Sequence, residues 1–443
     1  MLHEVYLKAW AVIVAESAPE LVMTGYNRVQ GRYPFADPKF ISILREKLGF
    51  QGSVMTDWMS TWEAITAGHV VPGGRSSPYF GKVGFLRPAS IYEAGVDMEM
   101  PFCSKNRDTV SQIQACALGD AQVCSARSAL HRATGRLLRS KMRYGLVGTR
   151  SPNASRVVWN NTKYEELALR IAREGIVLLR NRDNFLPRLA KEVKLVVVFG
   201  TPHILEDGDK GSSNVKSSIK AKTVLNSLRE TYGYFQTVFL HDFSYYLDDA
   251  NQKGYISAAD LVIADVGYDY TIEGEFLPHY AGGDRPYLSL HPQTIHEILW
   301  ASNFSKNIVV LISSGQTVTV EDWADRVAGI LWIGYPGPKG GRAAIDIVSG
   351  AVNPSGRMTS VTPKKASDYL PSGINLEPWH DDPAPQYPYA YGFKHMWQSG
   401  VEPRYPLGHG LSYTSFEHGT PAVSFDASTL AVEVRVRVRN TGA

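Results

Sequence analysis

Short apolar runs that stop at glycine alternate with amphipathic stretches along most of the chain. In residues 1–147, "LHEVYLKAWAVIVAES" spaces its apolar positions as a helix does, and "ELVMTGYN" predicts a short buried strand ending in polar groups. "DPKFISILREKLG" offers Asp37 as a helix N-cap, Pro38 at the first helical position and Gly49 as a stop. "GSVMTDW" and "AGVDMEM" predict two more strands, the second followed by Pro101. "VCSARSALHRATGRLLRSKMRYG" then reads as a helix closed by Gly145. Repeated strand–loop–helix units imply a parallel α/β sheet or barrel.

Residues 148–163 are polar, contain Pro and have no apolar period, which marks a linker. A second α/β unit spans 164–370. It opens with "YEELALRIAREGIVLLRN", a helix running into a strand. "KLVVVFG", "LVIADVGYD", "NIVVLISSG" and "VAGILWIGYPG" follow as continuous apolar runs, the pattern of strands covered on both faces. "HPQTIHEILWASN" and "KGGRAAIDIVSGA" supply helices between them. The expected result is an open, mostly parallel sheet with ligand groups in loops at the strands' C-terminal ends. Residues 371–415, rich in Pro, Gly and Tyr, read as an extended connector. Residues 416–443 begin an all-β unit, in which "LAVEVRVRVRN" alternates strictly and predicts a half-exposed antiparallel strand.

Composition narrows the functional classes. With 443 residues, two or three domains are expected, and 44 % hydrophobic residues suffice for a large core. The net charge is +3 and the basic residues are scattered, which argues against a nucleic-acid partner. No run of ~18 apolar residues predicts a membrane span. "AWAVIVAESA" lacks a basic leader and reads as helix rather than signal peptide. Cys103, Cys116 and Cys124 form no disulfide scaffold: Cys116 with Cys124 is the closest pair, and buried thiols are the other reading. No Cys/His set has metal-site spacing, and no cofactor is expected. Sequons at Asn153, Asn160 and Asn303 lean towards secretion.

Two acidic segments are candidates for chemistry. Asp57 follows the apolar "GSVMT"; in a parallel barrel an acid at a strand's C-terminal end faces the mouth. The other reading is that it caps a helix beginning "TDWMSTWEAITAG". "VGYDYTIEGEFLPHYAGGDRPYLSL", residues 266–290, carries Asp269, Glu273, Glu275 and Asp284 in a long aromatic loop. Loops beyond about 12–15 residues are usually functional or disordered, and a solvated acidic loop is the alternative. "EDGDKGSSNV" follows a strand but fits neither phosphate-binding glycine pattern. "SSG" at Ser313 to Gly315 lacks a nucleophile elbow.

Taken together the segments resemble glycoside hydrolase family 3, the secreted β-glucosidases and β-xylosidases. "GYNRVQGRYPFADP", "LREKLGFQGSVMTDW", "AGVDMEMPF", "REGIVLLRN", "GDKGSSNV", "EGEF…GGDRPYLSL", "YPGPKGGRAAIDIVSGAVNPSGRM" and "YPLGHGLSYTSFE" look like family blocks, in the family's order, over nearly the whole chain. The resemblance implies an α/β fold: part of a TIM-like barrel in 1–147, an (α/β) sandwich with a parallel-rich sheet in 164–370, and the start of a fibronectin type III-like domain in 416–443. It makes Asp57, in "TDW" where the family has "SDW", the nucleophile. Glu273, eleven residues before Asp284, becomes the acid/base, with Glu275 as the alternative. Trp58 is a sugar platform and Tyr26 lies near the sugar. The implied reaction is retaining hydrolysis of terminal β-D-glucosyl residues from β-linked gluco-oligosaccharides or aryl and alkyl β-glucosides. Such enzymes carry two carboxyl groups ~5–5.5 Å apart, with environments that push their pKa values apart.

The match also departs from the family. The family's barrel starts earlier and its β domain runs further, so the resemblance implies a chain shortened at both ends. The earlier strands would bring an Asp, an Arg and a Lys-His pair that hold sugar hydroxyls; Lys394-His395 lies in the connector and does not correspond. Low turnover is then expected, because positioning of the substrate can supply ~7–11 kcal/mol. A competing reading is a non-catalytic carbohydrate-binding protein or inactive fragment of the same fold.

Overall fold

The computed structural model describes residues 2–26, 29–30, 32–58, 60–61, 70–71, 75–76, 89–101, 110, 121–147, 161–201, 221–241, 249–274, 285, 287–369 and 388–442. The chain forms two compact units, Met1–Val158 with Asp381–Pro385, and Trp159–His380 with Gln386–Ala443. Both are α/β.

The first unit runs α1 (Leu7–Ser17), β1 (Leu21–Met23), α2 (Pro38–Ser42), β2 (Ser53–Met55), the antiparallel pair β3 (Val70–Val71) and β4 (Arg75–Ser76), α3 (Ser90–Ala94) and α4 (Ala121–Arg143). The Asp37 side chain accepts from the Lys39 amide, and Pro38 opens α2, as the sequence pattern predicts. β1 and β2 pair in parallel with Leu21 opposite Ser53, and Met98 bridges Met55 in the same sense. "AGVDMEM" therefore contributes one bridge, not a full strand. Val54, Phe35, Phe50, Tyr92 and Val96 pack with Ala129 and Ala133 of α4, whose small side chains let the helix lie close. β1 differs from the buried strand its sequence predicts. Leu21 and Met23 are 51 % and 49 % exposed, because β1 has β2 as its sole strand partner among the described residues.

The second unit is built on six strands in the order β5-β10-β9-β8-β6-β7. These are β5 (Val177–Asn181), β6 (Val196–Gly200), β7 (Thr237–Phe239), β8 (Leu261–Gly267), β9 (Ile308–Ser313) and β10 (Gly329–Trp332). β5 is antiparallel to β10; every other pairing is parallel. Helices α5 (Asn161–Gly175), α6 (Val224–Tyr232), α7 (Ala250–Ala258), α8 (Pro292–Ala301) and α9 (Gly340–Val348) cover the sheet. Alternate residues of β8 serve opposite faces. Val262, Ala264 and Val266 join the cluster that includes Ile256 of α7 and Ile298 of α8. Leu261 and Ile263 join the cluster that includes Leu228 of α6 and Ile345 of α9. Burial on both faces is why these strands read as unbroken apolar runs. From β6 the chain steps outward to β7, then returns to β8 on the other side, so the switch in strand order lies between β6 and β8. In open α/β sheets ligands bind outside the carboxyl ends at such a switch.

The described part of the connector is tied down. Leu411 donates to the Leu178 carbonyl at 2.8 Å and Met358 to that of His409 at 2.8 Å. A short helix, α10 (Phe393–Gln398), interrupts it. The C-terminal alternation does not form one long strand. It splits into β13 (Ala431–Arg435) and β14 (Val438–Asn440), which pair with β12 (Ala422–Asp426) and β11 (Phe416–His418) as separate two-stranded ribbons. Every residue of these strands is exposed, where the alternation predicts one covered face.

Candidate active site

Asp57 is the second residue after β2, and its surroundings are fixed by the strand below it. The fully buried Asp97 carboxylate takes the Val54 amide at 2.9 Å, Arg45 Nη2 at 2.6 Å and Arg136 Nε at 2.6 Å. Asp97 also donates its own amide to the Val54 carbonyl at 2.7 Å. One residue of β2 thus has both backbone groups satisfied by one acid, itself neutralised by two guanidinium groups. Above it, the Thr56 amide donates to Met98 and the Thr56 hydroxyl accepts from the Met100 amide, each at 2.9 Å. Any hydroxyl residue could make the second bond, which gives the Thr in "TDW" a physical function. Thr61 donates to the buried Glu99.

The half-buried Asp57 carboxylate accepts from the Trp58 amide at 2.7 Å, and the Tyr26 hydroxyl donates to the Trp58 carbonyl at 2.7 Å. A helix cap accepts from the amides two or three residues on. Asp57 takes its immediate neighbour's, while the Ser60 amide goes to the Asp57 carbonyl. The structure therefore brings Tyr26, Asp57 and Trp58 together where β1 and β2 end. The Trp58 side chain is 55 % exposed, so an aromatic face is available beside a carboxylate.

Glu273 lies in the second unit, six residues beyond β8. A turn in which Asp269 accepts from the Ile272 and Glu273 amides carries it back over the sheet's carboxyl edge. One carboxylate oxygen, Oε2, takes the Gly315 amide at 2.6 Å and the Tyr335 hydroxyl at 2.5 Å. The other, Oε1, forms an ion pair with Arg285 Nε at 2.9 Å. Gly315 follows β9 and Tyr335 follows β10, so three adjacent parallel strands send groups to one carboxyl. Arg285 is anchored in turn by the Thr317 carbonyl at 3.0 Å and stacks its guanidinium 4.8 Å from the centre of the Tyr268 ring. Burial pushes the Tyr335 phenol above its ordinary value, and its bond to Glu273 pushes it further. Glu275 and Asp284 lie outside the described residues, as do Asn153, Asn160, Cys103 and Cys116.

Sequence reasoning missed Tyr335, Gly315, Arg285 and the Arg45–Asp97–Arg136 cluster. The first two had a readable cue, since each lies just past an apolar run at the sheet's ligand-binding edge. It also missed Asp265 inside β8, whose carboxyl is pushed up to about 7 by burial. Among the described residues there is no group of three or more His, Cys, Asp or Glu placed to hold a metal ion, and no helix is long and apolar enough to cross a membrane.

Residues 176–413 match the model of the glycosyl hydrolase family 3 C-terminal domain. A probable β-glucosidase F of Aspergillus fumigatus is 28 % identical over 96 % of this chain and 50 % of its own length. The thermostable β-glucosidase B of Acetivibrio thermocellus is 25 % identical over 100 % of this chain and 54 % of its own. The crystal structure of a Bifidobacterium adolescentis GH3 β-glucosidase superposes with a TM-score of 0.76 at 24 % identity, covering 98 % of this chain and 58 % of that one. The chain spans about half the length of the curated relatives it matches. The family match covers more than half of the 443 residues, along the sheet that carries Glu273, Gly315 and Tyr335: the chain belongs to glycoside hydrolase family 3.

Proposed function

We propose that the chain carries the catalytic carboxyl groups of a retaining β-glycosidase acting on terminal β-D-glucosyl residues of oligosaccharides or of aryl and alkyl β-glucosides. In this reading Asp57 attacks the anomeric carbon. Glu273, or alternatively Glu275, protonates the leaving oxygen and then deprotonates the water that releases the sugar. Trp58 and Tyr26 present the sugar to Asp57. Residues 1–147 are proposed as part of a TIM-like barrel, joined by the linker 148–163 to the sandwich 164–370, with 371–415 leading to the start of a fibronectin type III-like domain at 416–443. Extracellular location is proposed from the sequons; of these, Asn303 is exposed on a turn, its side-chain oxygen accepting from Arg326 Nη2 at 2.8 Å.

The observation that carries the reading is the half-buried Asp57 at a strand's carboxyl end, flanked by an exposed indole and a tyrosine. A fluoroglucoside with a good leaving group tests it, because it traps the sugar on the nucleophile after a single turnover. The expected result is a mass increase of one fluoroglucosyl group, mapped to Asp57. An unlabelled chain, or a label elsewhere, overturns the assignment.

A further inference from the structure

Strand register lines up three methionines beside the candidate site. Met23 of β1 stands opposite Met55 of β2, and Met55 bridges in parallel to Met98. Residues paired across neighbouring strands share a face, and such strands lie ~4.8 Å apart, so the three thioethers form one row. The opposite face is the packed one: Val54 belongs to the apolar cluster beneath the helices, and Val22 packs against it. On the row's own side Leu21 and Met23 are about half exposed, and Met55 and Met98 are half-buried. Thr56 continues the ladder by donating its amide to the Met98 carbonyl, and its buried hydroxyl accepts from the Met100 amide. Alternation then returns Asp57 to the side of Met55. The carboxylate thus rises from the end of a row whose side chains carry no hydrogen-bond donor and only weak sulfur acceptors.

Stereochemistry decides which part of a substrate meets that row. A nucleophile that displaces the leaving oxygen of a β-glycoside approaches from the α face of the pyranose. In a β-D-glucoside that face presents axial hydrogens at C1, C3 and C5, and every hydroxyl is equatorial. We propose that Met23, Met55 and Met98 form the floor on which the α face of the sugar packs, and that this floor selects pyranosides without an axial hydroxyl on that side. The inference rests on the role proposed for Asp57. Unbranched, polarisable thioether chains adapt to the relief of a ring surface. A hydroxyl pressed onto them loses its water and gains no partner of comparable strength. A β-D-alloside differs from the glucoside only in an axial 3-hydroxyl on the α face, so it is the substrate the floor rejects. The axial 4-hydroxyl of a β-D-galactoside lies on the other face and does not meet the row.

The test measures kcat/KM for the nitrophenyl β-glucoside, β-alloside and β-galactoside. The unaltered chain is expected to favour glucoside over alloside about a hundredfold, the discrimination an apolar pocket achieves against an added hydroxyl. Met23→Gln, close in shape but able to hydrogen-bond, is expected to lower that ratio about tenfold, the worth of one hydrogen bond. The glucoside-to-galactoside ratio is expected to stay as it was. Met23→Leu, which keeps the row apolar at similar volume, is expected to leave both ratios unchanged. These ratios do not depend on how much of a variant folds, and Met55→Gln repeats the measurement should Met23→Gln yield no folded protein. A glucoside-to-alloside ratio near one in the unaltered chain overturns the inference alone. So do equal changes in the Gln and Leu variants, or a galactoside ratio that falls together with the alloside ratio. Failure of the unaltered chain to hydrolyse the glucoside overturns the proposed function, and the inference with it.

Discussion

At Asp57 the described neighbours donate one hydrogen bond to the carboxylate, from the Trp58 amide, whereas three donors surround Glu273. The proposed functions translate into separable losses. Asp57→Asn should abolish trapping by the fluoroglucoside while leaving the melting temperature within about 1 °C, since the change is isosteric and lies outside the apolar cluster. Glu273→Gln should lower release of phenol from phenyl β-glucoside by ~10²–10⁴-fold, while its turnover of dinitrophenyl β-glucoside, whose aglycone leaves without a proton, should be partly rescued by azide, which needs no base to attack the sugar. Asp265 gives a prediction about stability. Its folded-state pKa of about 7 exceeds the ordinary 3.8. The folded form therefore keeps a proton that the unfolded chain has lost, and stability falls as pH rises through the window from 4 to 7. The whole effect is on the order of 4 kcal/mol, three units at ~1.36 kcal/mol each. Asp265→Asn should flatten this slope and raise the melting temperature at pH 8, as read by thermal scans at pH 5 and pH 8; an unchanged slope would remove Asp265 from the account. As candidates, Asp57 stood out because it ends an apolar strand pattern, whereas Glu273 was one of four acids in a long loop and was set apart, with Glu275 as alternative, by the family resemblance alone. Tyr335 and Gly315 offered only the cue of lying just past apolar runs; that both reach Glu273 depends on strand order, which no local pattern encodes.

Among the elements, the packing of α9 on α6 makes a sharper test than any strand. A Cβ at Gly341 would lie 2.2 Å from the Thr223 carbonyl carbon and 2.4 Å from the Lys222 oxygen, both backbone atoms at the start of α6. Helix propensity alone favours Ala over Gly by ~1 kcal/mol. Here the two helices must separate, at a cost of about 1–3 kcal/mol. Gly341→Ala should therefore lower the melting temperature. Gly135→Ala, on α4 with nothing within 4 Å of the added carbon, should raise it slightly. Opposite signs for one chemical change test the fold directly; two increases would mean that α9 does not lie where it is described. Helices and covered strands were readable from period and punctuation, as at Asp37-Pro38 and Gly49. The C-terminal ribbons were not. Strict alternation reports which side chains share a face, but says nothing of whether another layer covers that face.

For the whole molecule, the two units carry unequal cores. Among the described residues, the second has apolar clusters on both faces of its sheet and the first a single smaller one. Calorimetry should accordingly resolve two transitions, the first unit melting at the lower temperature. Asp97→Asn should move that transition alone, because it leaves Arg45 and Arg136 without their shared buried partner, a loss of about 3–5 kcal/mol. A shift of both transitions would show that the units melt as one. The α/β class could be read from the order of patterns, but Asp97 could not be read as a keystone, since its partners stand 52 and 39 residues away. That separation has a consequence for biosynthesis. Val54 emerges from the ribosome long before Arg136; Arg45 alone balances the charge of Asp97, and Arg136 adds the bond that fixes the carboxylate's second oxygen. The carboxylate that holds β2 therefore gains its full set of partners only once residue 136 has been made, so the support beneath Asp57 is completed late in the synthesis of the first unit.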